Sequence, residues 1–246
     1  MEALRGGKSF RTIFLRGLRR DGIPYGVKPL RLLVLASGRG SHAVNLIQAS
    51  RDGRLLAEVV RVLSDQIGAP VLEKSRALGV PSAVLEPVGP GVRLIPGAEL
   101  ELIDRLATDR IGLVALCGFM KLLSADFLGR VSIPILNVHP SLLPAFPGLH
   151  AQRQAIEAGV RVTGATVHFV DAGIDSGPIL LQAPLDVLPE DTPESLSERL
   201  LPVEQRLYVE AIRLIQRGAV QKEGRRVRVG SGVETNRTAA QTGRRT

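Results

Sequence analysis

Between Leu32 and Leu136 the chain alternates short, mostly apolar runs with stretches of helical period, and no other feature constrains its fold as strongly. LLVLA at 32–36, EVVRVL at 58–63, Pro81–Leu85 and Gly112–Cys117 have strand length, and IPIL at 133–136 begins a fifth such run. Runs of this kind suit strands covered on both faces. Between them, 41–50, 69–78 and 97–109 carry apolar residues at helical spacing. Repeats of this length imply right-handed strand–helix–strand crossovers and a mostly parallel sheet. The expectation is an α/β, three-layer, Rossmann-like fold, its twisted sheet carrying helices on both faces.

Downstream, the pattern predicts a short helix over 151–158, strands over 162–170 and 179–185, and a long final helix. Asp191 or Thr192 can cap that helix, with Pro193 in its first turn. Leu196, Leu200, Val203, Leu207, Ala211 and Leu214 keep its period. Pro202 interrupts it and is expected to kink it or to start a second segment. A small hairpin is expected within 218–230. The chain thus divides into a basic N-terminal extension (1–29), one domain (30–218), and a hairpin followed by a basic tail (219–246). Both basic ends lack apolar period and read as disordered.

Charge argues against nucleic-acid binding by the fold itself. The net charge is +8, but residues 1–30 contribute +5 and residues 217–246 contribute +6, leaving 31–216 at −3. A nucleic-acid-binding domain is expected to carry its positive charge on the folded body. No apolar run is long enough to span a bilayer. The lone Cys117 excludes an intramolecular disulfide, fits a reducing cytosol, and reads as a small buried hydrophobe. A cytoplasmic protein, monomeric or homodimeric, is expected.

Two segments carry chemistry. SGRGSH at 37–42 follows the first strand and opens a helix, so Gly38 and Gly40 let backbone approach an anion, and Ser41 begins a helix with unbonded N–H groups. Read alone, GxGxxA also resembles a dinucleotide fingerprint; an NAD-dependent dehydrogenase would use Asp65 for ribose. The second segment is IPILNVHPSLLPAFPGLH at 133–150. Residues two apart on a strand share a face, so Asn137 and His139 project together, and Pro140 keeps His139 extended. Ligands of parallel sheets bind beyond the carboxyl ends of strands, which places 38–42, 118–123 and 137–139 around one crevice.

Together, SGRGS at 37–41, GFMKLLS at 118–124, NVHPSLLPAFPGLHA at 137–151, TGATVHFVDAGIDSGPI at 163–179 and Glu204 resemble the folate-dependent formyltransferases. The run Pro147-Gly148-Leu149-His150 is similar to the phosphoribosylglycinamide formyltransferase branch rather than to methionyl-tRNA formyltransferase, the alternative acceptor class. The resemblance implies a formyltransferase domain over 30–218 that moves a formyl group from 10-formyltetrahydrofolate to the amine of glycinamide ribonucleotide, in purine biosynthesis. It implies small-molecule substrates, 10-formyltetrahydrofolate as co-substrate, and no metal.

By the same resemblance, Asn137, His139 and Asp175 match the catalytic residues. Gly40, Ser41 and His42 match the phosphate loop, and Glu204 a contact to the glycinamide substrate. Met120, Lys121, Leu122 and Leu123 match a folate-pocket segment, to which Asn137 also belongs. Two departures stand out: His42 replaces the family's usual Asn, and the Arg that members place before the fourth helix matches Ile95, with Arg93 nearby. The implied chemistry is direct attack on the formyl carbon. Asn137 and protonated His139 stabilise the tetrahedral oxyanion, and Asp175 favours the imidazolium. Lys121 is expected at the pocket rim, its charge meeting glutamyl carboxylates. Asp171 reads as a turn residue, and His168 as a pocket wall or packed ring.

Overall fold

The computed structural model describes residues 29–230. The basic ends expected to be disordered, 1–28 and 231–246, lie outside the described residues. The elements in order are β1 (Leu30–Leu35), α1 (Ser41–Arg51), β2 (Ala57–Ser64), α2 (Pro70–Ala77), β3 (Ser82–Val84), α3 (Pro96–Thr108), β4 (Leu113–Leu116), α4 (Ala125–Arg130), β5 (Ile135–His139) and α5 (Ala151–Glu157). β6 (Val162–Phe169), β7 (Ile179–Asp186), α6 (Pro193–Gln216), β8 (Val220–Glu223) and β9 (Arg226–Val229) complete the chain.

Seven strands form one sheet in the order β3-β2-β1-β4-β5-β6-β7. The five strands from β3 to β5 run parallel, while β6 and β7 pair antiparallel to their neighbours. The alternation of β1 shows why its run is apolar throughout. Leu32 and Val34 face one core with Ala43, Leu46, Val71 and Tyr208, whereas Leu33 and Leu35 face a second core with Ala98, Leu102 and Phe127. These four residues of β1 are fully buried, each contributing about 2 kcal/mol of apolar transfer. One layer therefore holds α1, α2 and α6, and the opposite layer holds α3 and α4.

Three local outcomes follow from physics that hydropathy does not display. α4 is a six-residue helix, too short for a period, and is started by Ser124 Oγ accepting from Phe127 N–H at 3.0 Å. α6 runs unbroken for 24 residues across Pro202, which corrects the expectation of a second segment. Pro202 and Glu198 are both exposed, so the carbonyl that loses its partner faces water, while Leu200, Val203 and Glu204 hold the helix to the core. Ile95 precedes the third helix, not a fourth. The hairpin β8–β9 forms as expected, and its Val220, Val227 and Val229 pack on the first core.

The sheet order brings the functional segments together. β1, β4 and β5 are consecutive in space and about 5 Å apart from strand to strand. Ser37 N–H donates to Gly118 O at 3.1 Å, which joins the loops that leave β1 and β4. No helix among the described residues is long and apolar enough to cross a membrane.

Candidate active site

Asn137 and His139 lie within β5, on one side of the strand, and Asp175 meets both from the loop between β6 and β7. Asp175 Oδ2 is 3.2 Å from His139 Nδ1 and accepts from Gly148 N–H at 2.8 Å. Asp175 Oδ1 accepts from Asn137 Nδ2 at 3.3 Å and is 3.5 Å from His168 Nε2. Asn137 Nδ2 also lies 3.2 Å from His168 Nε2. The remaining nitrogen of His139, Nε2, is 2.8 Å from Phe146 O. Both ring nitrogens of His139 thus face oxygen acceptors, an arrangement that suits a doubly protonated ring.

Burial is uneven across this cluster. The side chain of His139 is 5% exposed and that of Asp175 is 15% exposed, so the carboxylate is its more open end. Burial is the largest influence on Asp175 and opposes ionisation. The hydrogen bond from His168, the Gly148 N–H and the charges of His139 and His168 outweigh it, and hold the carboxyl below its ordinary value. Asn137 departs from its expected role in one respect: its amide hydrogens are directed at Asp175 and His168 rather than outward.

The loop over this cluster is pinned from β6. Thr166 Oγ1 donates to Ser141 O at 2.7 Å and accepts from Leu143 N–H at 3.1 Å. Gln182 Nε2 donates to Leu143 O at 2.8 Å. Side chains of β6 and β7 therefore hold the proline-bearing loop that presents the Phe146 carbonyl and the Gly148 N–H.

At the start of α1, Gly40 has φ 77° and no side-chain cap closes the helix, so the first N–H groups stay available to an anion. A Cβ on Gly40 would overlap Val71 Cγ2, which excludes any other residue on packing as well as conformation. Ser41 opens the helix. His42 Nε2 is 2.8 Å from Glu204 Oε2 on α6, and the two side chains are 14% and 8% exposed. Two residues matched separately to substrate contacts are thus bonded to each other.

The segment after β4 forms a wall beside this crevice. Met120 N–H donates to Ser37 Oγ at 2.8 Å, and Met120 is 54% exposed. Leu122 bridges the 86–96 loop, donating to Val92 O at 2.7 Å and accepting from Leu94 N–H at 3.0 Å. Two expectations need correcting. Leu123 is a buried core residue, so its side chain is not part of a pocket surface. Lys121 Nζ donates to Gly89 O at 2.9 Å and to Gly91 O, tying down the 86–96 loop instead of standing at a rim. Asp65 is buried, bonded to Ser37 Oγ and to the Gln66 amide. Its carboxylate is engaged within the protein, which argues against the dehydrogenase reading.

The family model described as formyl transferase matches residues 30–212, a span that includes every residue of this cluster. The chain belongs to the formyl transferase family. Among solved structures, glycinamide ribonucleotide transformylase 1 from Symbiobacterium toebii is 45% identical with a TM-score of 0.77, covering 82% of this chain and 95% of that one. The phosphoribosylglycinamide formyltransferase of Mycobacterium tuberculosis is 41% identical over 83% of this chain and 94% of its own length. The trifunctional purine biosynthetic protein adenosine-3 of Drosophila pseudoobscura pseudoobscura is 40% identical, and there the match spans only 14% of the relative's length.

In this formyl transferase, His168, read from the sequence as a pocket wall or packed ring, is a bonded member of the cluster. It stands directly across from Asn137 in the antiparallel β5–β6 register, so the signal that could have found it is strand pairing. Gly148 was also missed, because a backbone N–H leaves no mark in residue type.

Proposed function

We propose that this chain transfers the formyl group of 10-formyltetrahydrofolate to the amine of glycinamide ribonucleotide. The observation that carries the proposal is the Asp175 carboxylate, which faces His139, His168 and Asn137 at once, at the carboxyl end of β5. Attack of the amine on the formyl carbon gives a tetrahedral intermediate with a developing oxyanion, and preorganised donors lower its energy. The Asn137–Asp175 bond, at 3.3 Å, is long for N–H···O and is the one exchanged for the oxyanion. His139, its ring between Asp175 and the Phe146 carbonyl, supplies positive charge beside it.

As the intermediate collapses, the attacking nitrogen loses a proton and the leaving N10 gains one. Asp175, the more exposed partner, passes that proton with His139, directly or through one water. No covalent intermediate on the protein is needed. The N-terminus of α1, with Gly40 and Ser41, is the proposed cradle for the substrate phosphate, and the His42–Glu204 pair borders it. Met120 and the backbone of Lys121–Leu123 form the proposed folate wall.

The test is formyl transfer from 10-formyltetrahydrofolate, with glycinamide ribonucleotide and initiator methionyl-tRNA as competing acceptors. Transfer to the ribonucleotide alone is expected. Absence of that transfer by folded protein would overturn the reading.

A further inference from the structure

Asp175 occupies a backbone conformation that its residue type disfavours. Its φ is 47°, in the left-handed region, and a non-glycine residue stays there only when its surroundings over-determine it. One constraint is the Gly148 N–H on Oδ2. A second comes from Asp171, four positions earlier. Asp171 Oδ1 accepts from Gly173 N–H at 3.1 Å and from Ser176 Oγ at 2.7 Å. One oxygen therefore ties both flanks of Ile174–Asp175. Gly173 is closed against the same hydroxyl, because a Cβ there would overlap Ser176 Oγ. Asp171 also lies just beyond β6, the strand that supplies His168, so the anchor and a member of the cluster share one strand end.

We propose that Asp171 is a positioning residue: it folds the 171–178 loop so that Asp175 presents one carboxylate to His139 and His168 together. This inference rests on the formyl-transfer reading, which gives Asp175 its role. Without the Oδ1 anchor, Asp175 relaxes toward right-handed or extended backbone and its carboxylate leaves the imidazoles. Among the described residues, the titratable groups facing Asp175 are His139 from β5 and His168 from β6, and Asp171 shares its loop. A carboxylate withdrawn from the imidazoles and from the Gly148 N–H loses what holds it below its ordinary value, so the acid limb of the kcat profile moves to higher pH.

Asp171→Asn keeps an amide oxygen able to accept both bonds, and Asp171→Ala removes it. The experiment measures formyl transfer to glycinamide ribonucleotide across pH for full-length wild type and both variants. NMR follows the ring resonances of His139 and His168 at one fixed pH. For D171A, kcat is expected to fall by on the order of 10²-fold, as misplacement by about 1 Å does. The acid limb moves to higher pH, the ring resonances are displaced, and both KM values stay near wild type. D171N restores all of these. The inference is overturned if D171A keeps the wild-type kcat and profile, or if D171N is as impaired as D171A. It is also overturned if lost activity follows lost thermal stability with an unchanged profile. If wild type transfers nothing to the ribonucleotide, the functional reading fails and the resonances decide alone. Displaced signals in D171A that return in D171N sustain the positioning role, and unchanged signals overturn it.

Discussion

His139 is enclosed by oxygen on both sides of its ring, with Asp175 at Nδ1 and the Phe146 carbonyl at Nε2. Replacing it with alanine leaves that carboxylate without its closest cation, and kcat should fall by about 10²–10⁴-fold, the usual contribution of a positioned acid–base group. Asp175→Asn tests the charge separately, because the amide oxygen still accepts from Gly148. A comparable loss of kcat with little change in either KM is expected, measured by steady-state kinetics at neutral pH. At this scale the sequence was informative where spacing does the work. Asn137 and His139 share a face because they are two apart on a strand, and Pro140 keeps His139 extended. His168 was not legible, because a lone histidine on an apolar strand is more often packing, and only the β5–β6 register sets it against Asn137. The His42–Glu204 bond joins residues 162 positions apart, which no local pattern encodes.

α6 is the element that ties the site to the sheet. Tyr208, fully buried, directs its hydroxyl at Leu116 O (3.1 Å) and Leu136 O (2.9 Å), the carbonyls just before Cys117 and Asn137. Burial pushes this phenol well above its ordinary value, so it stays a donor. Tyr208→Phe strands buried carbonyls and should cost about 1–3 kcal/mol in urea unfolding. At the opposite end of the sheet, Arg61 on β2 grips Asp109 beyond α3, Nε to Oδ2 at 2.6 Å. The Arg61 hydrogen bond is the main cause that holds the Asp109 carboxyl below its ordinary 3.8, against desolvation, with the charges of Arg61, Arg105 and Arg31 adding to it. A depressed carboxyl stabilises the fold fully above 3.8, and that stabilisation is lost as pH falls through the lower folded value. Asp109→Asn should therefore be less stable than wild type by about 2 kcal/mol at neutral pH. The gap should narrow in urea titrations as pH falls below 3.8. Periodicity located all the long elements, since 3.6-residue and strand spacing are local properties. It did not reveal that Pro202 would be absorbed, because that outcome depends on which side of α6 faces water.

For the whole molecule, the sheet core and the cluster lie within residues 29–230, whereas most of the net positive charge lies at the ends of the sequence. A protein cut to residues 29–230 should keep kcat/KM within about twofold, since no cluster residue is removed. It should also leave a polyanionic resin at lower salt than the full chain, because fewer cations release fewer counterions. The fold class was legible from alternation alone, as crossovers leave few topologies open. The order β3-β2-β1-β4-β5 was not, because strand adjacency is decided by which helix layers close over which faces.

The turn from Gly38 to Gly40 owes its shape to a neighbour. Val71 N–H of α2 donates to Gly38 O at 3.2 Å, Lys74 Nζ donates to Arg39 O at 2.9 Å, and the Val71 side chain fills the space beside Gly40. α2 works as a splint for a turn that has no rigidity of its own. Grip on a phosphate would then be governed by a hydrophobic seam that never meets it. Loosening that seam, by warmth or by trimming Val71, should weaken capture of the ribonucleotide while the rest of the molecule still stands.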